Sequence, residues 1–215
     1  MPEKISFPDI QFNEEGEQII LVNSSDEIIG QIGKLDAHLH GAQLHRAFSL
    51  FIINEHDQLL LQQRSPYKPL FGKFWSNTVC SHPAAILSEQ NSEIGAKKAV
   101  HRKTLQELNI NLSEVEINEM TLLKRIIYDA KYSDELSEKE LDYVFVLCSE
   151  KDSIDTRLRC NEAEVMATKW VSIDEMDAMI ADGVISPWCK KIYLNFFREL
   201  WSKKSFEKDT TIIFI

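Results

Sequence analysis

Residues 46–53, with the mostly apolar run Ala47–Ile53, read as a strand that turns through the polar Asn54-Glu55-His56-Asp57 into 58–63, a pattern that predicts a β-hairpin. A further strand is expected at 18–22, and two more at about 121–131 and 140–148. The loop Tyr132–Ser137 separates the last pair and leaves Glu138 at a strand edge. A helix is expected from about Ser92 to Leu108, because Ala96, Val100, Thr104 and Leu108 fall four apart and Leu105 widens the stripe. Ser172-Ile173-Asp174-Glu175 reads as a capping box opening a helix that ends near Gly183. Ser186-Pro187-Trp188 opens the last helix, with serine as cap, proline in the first turn and Ile192, Phe196 and Leu200 as its apolar face. Residues 64–91 carry Pro66, Pro69, Gly72 and Pro83 and read as loop. Strands interleaved with a few helices, without repeat or linker, predict one α/β sandwich domain. It is flanked by an N-terminal extension at about 1–17 and a C-terminal tail at about 202–215. Such a pattern names no function.

Composition removes several classes. Apolar residues make up 44% and charged residues 27%, an ordinary globular balance. No apolar run approaches the roughly 18–20 residues that a bilayer span needs, and Met1-Pro2-Glu3-Lys4 opens no signal-peptide core. A cytoplasmic address is expected, and nothing in the chain demands a partner, so a monomer is expected too. With 24 Lys and Arg against 34 Asp and Glu, the net charge of −10 argues against general nucleic-acid binding. An acidic protein still binds anions where a few basic side chains converge on one cleft. Cys80, Cys148, Cys160 and Cys189 form no CxxC pair and read as free thiols.

Reactive side chains gather in three places. Within Trp75-Ser76-Asn77-Thr78-Val79-Cys80-Ser81-His82-Pro83, a thiol and an imidazole two residues apart share one side of an extended chain. His38, His40 and His45 precede the hairpin, and Glu138 and Glu140 share a strand face. Imidazoles and carboxylates together make a mixed N/O site for a divalent ion. The third set is basic: Lys34, Arg64, Lys68, Arg102 and Lys103 flank the reactive loop and suggest a phosphate or diphosphate ligand. Glu107, beside its helix's apolar stripe, is placed to hold a Mg²⁺ that bridges to such a ligand.

His45-Arg46-Ala47-Phe48-Ser49, Leu60-Leu61-Gln62-Gln63-Arg64-Ser65, Trp75–Pro83, Glu138-Lys139-Glu140-Leu141-Asp142-Tyr143 and Ser186-Pro187-Trp188 resemble successive motifs of the type I isopentenyl-diphosphate isomerases. The likeness runs in order from about Ile19 to Trp201. It implies a Nudix-type α/β/α sandwich with a mixed central sheet. It also implies one protein-bound divalent ion (Mn²⁺, Zn²⁺ or Mg²⁺) on His38, His45, His82, Glu138 and Glu140, with His38 preferred to His40 for its spacing before His45. A Mg²⁺ carried with the diphosphate falls on Glu107. The diphosphate contacts fall on Lys34, Arg64, Lys68 and Lys103, with Arg102 beside them. Cys80 and Glu140 correspond to the acid–base pair, Tyr128 to the partner of that carboxyl group, and Trp188 to an aromatic face for a carbocation.

One departure from the wider superfamily is informative. Nudix hydrolases carry a helix signature Arg-Glu-x-x-Glu-Glu-x-Gly that collects the metal ions of hydrolysis. The matching stretch is Arg102-Lys103-Thr104-Leu105-Gln106-Glu107-Leu108-Asn109, where only Glu107 keeps its carboxylate and Asn109 replaces the glycine. The rivals are therefore a Nudix hydrolase, which this stretch disfavours, and a silent binding domain, which the filled motif positions disfavour. A thiol hydrolase built on Cys80 and His82 would lack a third orienting group.

Overall fold

The computed structural model describes residues 17–215, so all of the expected N-terminal extension except Glu17 lies outside the described residues. In chain order the strands are β1 (Gln18–Val22), β2 (Ile28–Gly33), β3 (His45–Ile53), β4 (Leu59–Arg64), β5 (Trp75–Ser76), β6 (Val79–Ser81), β7 (Thr121–Lys131), β8 (Ser137–Cys148), β9 (Val165–Val171) and β10 (Ile212–Phe214). The helices are α1 (Ser92–Leu108), α2 (Glu114–Glu119), α3 (Lys151–Asp155), α4 (Ile173–Ala181), α5 (Pro187–Ile192) and α6 (Arg198–Lys203). A 3₁₀ turn, Asp36–His38, precedes β3, and a π turn, Tyr193–Phe197, joins α5 to α6.

Every residue of β3 is buried, which requires cover on both faces. One edge of β3 pairs in parallel with β8, from His45 opposite Glu140 to Ile53 opposite Cys148. The other edge meets β1 at His45, β6 at Phe48–Leu50 and β4 at Ile53. β7 pairs antiparallel with β8, and β10 adds to β7 in parallel, giving the mixed sheet. The period-two alternation of a strand then sorts side chains to two cores. Phe48, Leu50, Ile52, Leu141, Tyr143 and Phe145 pack against Ala96, Ala99 and Val100 of α1. Phe51, Ile53, Val144 and Val146 pack against Trp188, Ile192, Phe197 and Trp201 on the opposite side. The result is the expected α/β/α sandwich. No helix of the described residues is long and apolar enough to cross a membrane.

Several local expectations change. The hairpin closes only at its tip, with Ile53 opposite Leu59, and β4 then pairs with β9 and β5. The cause is a wedge. Thr78 Oγ1 accepts from Ile52 N at 2.9 Å and donates to Leu60 O at 2.6 Å, holding β3 and β4 apart from between them. The stretch read as loop thus carries β5 and β6. Leu105 is 41% exposed, and the flank of the α1 stripe is instead Ala99, Lys103 and Glu107. The wide π turn rotates the last helix, so Tyr193, Phe197 and Trp201 are buried where Phe196 and Leu200 were expected. The capping box at Ser172 forms as read, with both reciprocal bonds present. Ser186 makes no capping bond; its hydroxyl turns to Ser76, 3.0 Å away. Asn109 takes the left-handed C-terminal position (φ 58°), its N–H bonding to Leu105 O at 2.9 Å. Of the tail, β10 is a sheet strand.

Candidate metal centre and cleft

The same alternation gathers the sequence-predicted residues at one corner. His45 on β3, Glu138 and Glu140 on β8 and Tyr128 on β7 share the face that carries α5. Cys80 joins that face from β6, His82 follows it, and the 3₁₀ turn brings in His38. His40 is exposed with φ 51° and stands apart.

His38, His45, His82 and Glu138 are all buried, and each offers a ligand atom within 4.8 Å of the others. Glu140 Oε1 lies 2.8 Å from His82 Nε2 and 3.5 Å from His45 Nε2, while Glu140 Oε2 accepts from Tyr128 OH at 2.5 Å. His45 Nδ1 is 2.7 Å from Gln43 O. A carbonyl only accepts, so Nδ1 carries the proton and a neutral His45 presents the Nε2 lone pair to the carboxylate. His38 Nδ1 and Glu138 Oε2 lie 3.0 Å apart without hydrogen-bond alignment. Buried polar atoms normally find partners, yet His38 Nδ1, His45 Nε2, His82 Nδ1 and Glu138 Oε2 have none. Lone pairs converging on a carboxylate repel unless a cation lies among them. Metal–ligand bonds of about 2.0–2.2 Å place donors at most about 4.4 Å apart, so shifts of tenths of an ångström would let these atoms share one ion. The residues fit a divalent cation.

Protonation follows burial and neighbours. Burial opposes charge on His82 and takes its pKa down to about 3, against the pull of Glu140. Burial also disfavours the Glu140 carboxylate, but the neighbouring His45 and His82 imidazoles outweigh it and hold the group well below its usual range. Burial, then the Glu140 charge, pushes the Tyr128 hydroxyl well up, so it stays a donor. Burial raises the Cys80 thiol to about 11 against the opposing charge of Arg64, leaving it protonated at neutral pH.

These groups open into one cleft of about 620 Å³, including its solvent-filled mouth, lined also by Lys34, Arg64, Lys68 and Trp188. Arg64 donates to Phe71 O at 3.2 Å and Leu70 O at 3.0 Å, and its Nη1 lies 3.7 Å from Cys80 Sγ. Its guanidinium carbon stands 5.1 Å from the centre of the Trp188 ring. Lys68 is ion-paired with Glu164, and Lys34 Nζ is 3.4 Å from Glu17. Burial, reinforced by the Lys34 charge, lowers Lys103 to about 8. Burial opposes the charge on Glu164, yet Lys68 and Lys103 bring its pKa down to about 2. Arg102, Lys103 and Glu107 do not line the cleft. Arg102 grips Glu89 through two bonds of 2.7 and 2.8 Å and reaches His82 O at 3.3 Å. Glu107 is buried behind; one oxygen accepts from Gln62 at 3.1 Å and the other has no partner. Glu17, Glu89 and Glu164 were missed in the sequence, because each matters through a distant partner that leaves no local pattern.

A NUDIX domain model matches residues 43–189. The chain is 35% identical over 199 residues to isopentenyl-diphosphate Delta-isomerase II, chloroplastic, of Arabidopsis thaliana, covering 86% of this chain and 68% of that protein. Against the isopentenyl-diphosphate Delta-isomerase of Dictyostelium discoideum it is 35% identical over 209 residues, 90% and 85% of the two chains. The chain belongs to the isopentenyl-diphosphate Delta-isomerases of the Nudix superfamily. The crystal structure of the protein DR0079 from Deinococcus radiodurans superposes with a TM-score of 0.62 at 23% identity, over 85% of this chain and all of that one. That likeness concerns the fold alone.

Proposed function

We propose that this chain interconverts isopentenyl diphosphate and dimethylallyl diphosphate, with Cys80 and Glu140 as the acid–base pair. The observation that carries the reading is the Cys80 thiol and the Glu140 carboxylate lining one cleft, flanked by Lys34, Arg64 and Lys68. A terminal alkene is a very weak base; its protonation gives a tertiary carbocation, and loss of a proton from the neighbouring carbon gives the allylic isomer. The two groups approach from strands on opposite edges of β3. Tyr128 OH hydrogen-bonds the Glu140 carboxylate and orients it. Trp188 offers its ring to the cation, a contact worth about 2 kcal/mol or more when desolvated. Lys34, Arg64 and Lys68 grip the diphosphate, with Lys103 and Arg102 reinforcing the field behind them, and so orient a hydrocarbon end that has no polar handle.

In this reading His38, His45, His82, Glu138 and Glu140 would hold one divalent ion, Mn²⁺, Zn²⁺ or Mg²⁺, and Glu107, behind the cleft wall with one oxygen unpartnered, would hold a Mg²⁺ carried with the diphosphate. A bound cation supplies positive charge beside Glu140 and tunes its acidity. The enzyme works as a cytoplasmic monomer.

Incubation with isopentenyl diphosphate and Mg²⁺ in D₂O, followed by proton and phosphorus NMR, tests the proposal. Dimethylallyl diphosphate with deuterium in its methyl groups and no free phosphate is expected. A folded, metal-loaded sample that leaves the substrate unchanged, or releases phosphate, sinks it.

A further inference from the structure

We infer that Asn77 is a positioning residue for this reaction: one buried amide orients the Trp188 indole directly and the Cys80 thiol through Ser76. The inference rests on the roles proposed above for Cys80 and Trp188.

Asn77 is fully buried within the wedge that parts β3 from β4. Its Nδ2 donates to Leu50 O at 3.2 Å and to Val79 O at 2.9 Å. Two carbonyls can only accept, so they decide which end of the amide is nitrogen. Oδ1 then accepts from Trp188 Nε1 at 3.1 Å and from Ser76 Oγ at 2.9 Å. Two donors and two lone pairs are all satisfied, and the amide cannot rotate without losing all four bonds.

Each acceptor bond leads to a cleft residue. An indole has one polar hydrogen, and in Trp188 that hydrogen points at Asn77. This fixes the rotation of a ring otherwise held by the Phe71 edge at 5.6 Å and Arg64 at 5.1 Å. The Ser76 hydroxyl uses its only hydrogen on Asn77. Toward its other neighbours, Ser186 Oγ at 3.0 Å and Cys80 Sγ at 3.6 Å, it therefore acts as acceptor. The S–H of Cys80 is thereby given a direction. Two of the three residues proposed to act on the hydrocarbon end of the substrate, Cys80 and Trp188, share one anchor, and the basic residues at the diphosphate end do not touch it.

The test is a double-mutant comparison of Asn77→Ala and Ser76→Ala in wild-type and Trp188→Phe backgrounds, since phenylalanine lacks the indole N–H. Asn77→Ala is expected to lower kcat about tenfold or more while KM for isopentenyl diphosphate stays within about twofold. In the Trp188→Phe background the same change should cost at least about threefold less. Equal losses in both backgrounds, or KM rising in step with the fall in kcat, overturn the inference. Should Asn77→Ala not fold, ¹⁵N NMR of the wild-type indoles decides. A Trp188 Nε1–H protected from solvent exchange supports the anchor, and exchange at the rate of a free indole overturns it. Turnover by the wild type in the D₂O experiment keeps the two ideas separable. Activity with additive losses removes only the Asn77 role. Absence of activity removes the functional reading, while the indole measurement still reports on the bond.

Discussion

Two buried charged clusters sit on opposite faces of the same strands, and they are finished differently. On the α1 side, Arg46 donates through Nε to Asp26 Oδ1 at 2.9 Å, through Nη2 to Asp26 O at 3.0 Å and through Nη1 to Gln90 O at 2.8 Å. Arg125 and the Tyr143 hydroxyl donate to the second Asp26 oxygen. Each charged side chain of this cluster finds hydrogen-bond partners within the chain, so the cluster is structural: it ties β2's approach to β3, β7 and β8. On the α5 side, His38, His45, His82, Glu138 and Glu140 are as buried, yet four of their nitrogen and oxygen atoms lack hydrogen-bond partners. Burial alone does not separate a structural cluster from a functional one. Closure of the hydrogen-bond account does.

That contrast can be broken by mutation. The largest expected effect is on the functional side: Cys80→Ala should lower turnover by about 10³-fold or more. Its denaturation midpoint and metal content should match the wild type, and a fully active variant would rule out the acid–base pair. On the structural side, Asp26→Asn leaves the buried Arg46 guanidinium without its carboxylate and should remove about 3–5 kcal/mol of stability in urea titrations. Its kcat well below the unfolding temperature should be unchanged, and an equal loss of kcat would erase the distinction between the clusters. Within the cleft, Trp188→Phe should keep more activity than Trp188→Ala, by about tenfold if the ring face is worth about 1–2 kcal/mol; equal losses count against a cation contact. The smallest effect concerns pH. Lys103 is charged below about 8 and loses that charge as pH rises through it. KM for the diphosphate should therefore climb above that pH, and Lys103→Arg, which stays charged, should flatten the climb. A flat KM in the parent from pH 7 to 9.5 would remove Lys103 from the diphosphate field.

What the sequence disclosed depended on how local the cause was. α1 begins and ends where its periodicity indicates, and the Ser172 box closes as written, because both are settled within one or two turns. β6 is three residues long and exists only because β3 lies beside it, so no run of its own announces it. β2, β9, α2 and α3 also escaped, as did the π turn that rotates the last helix. For the candidate site, motif likeness supplied the thiol, the imidazoles and the carboxylates. It could not supply Glu164 against Lys68, Glu89 against Arg102 or Asn77 against Trp188, pairs whose members are 96, 13 and 111 residues apart.

The parallel junction of β3 with β8 has a kinetic consequence. Ser49 and Asp142, bonded across it, are 93 residues apart, and His82 and Glu140 are 58 apart. Loops of that length close slowly, and contacts across them form late in folding. The imidazoles and carboxylates therefore meet only once the central sheet has been zipped. Partly folded chains present the same side chains scattered, so if the cluster takes up a divalent ion as proposed, uptake would be a timestamp for completion of the topology.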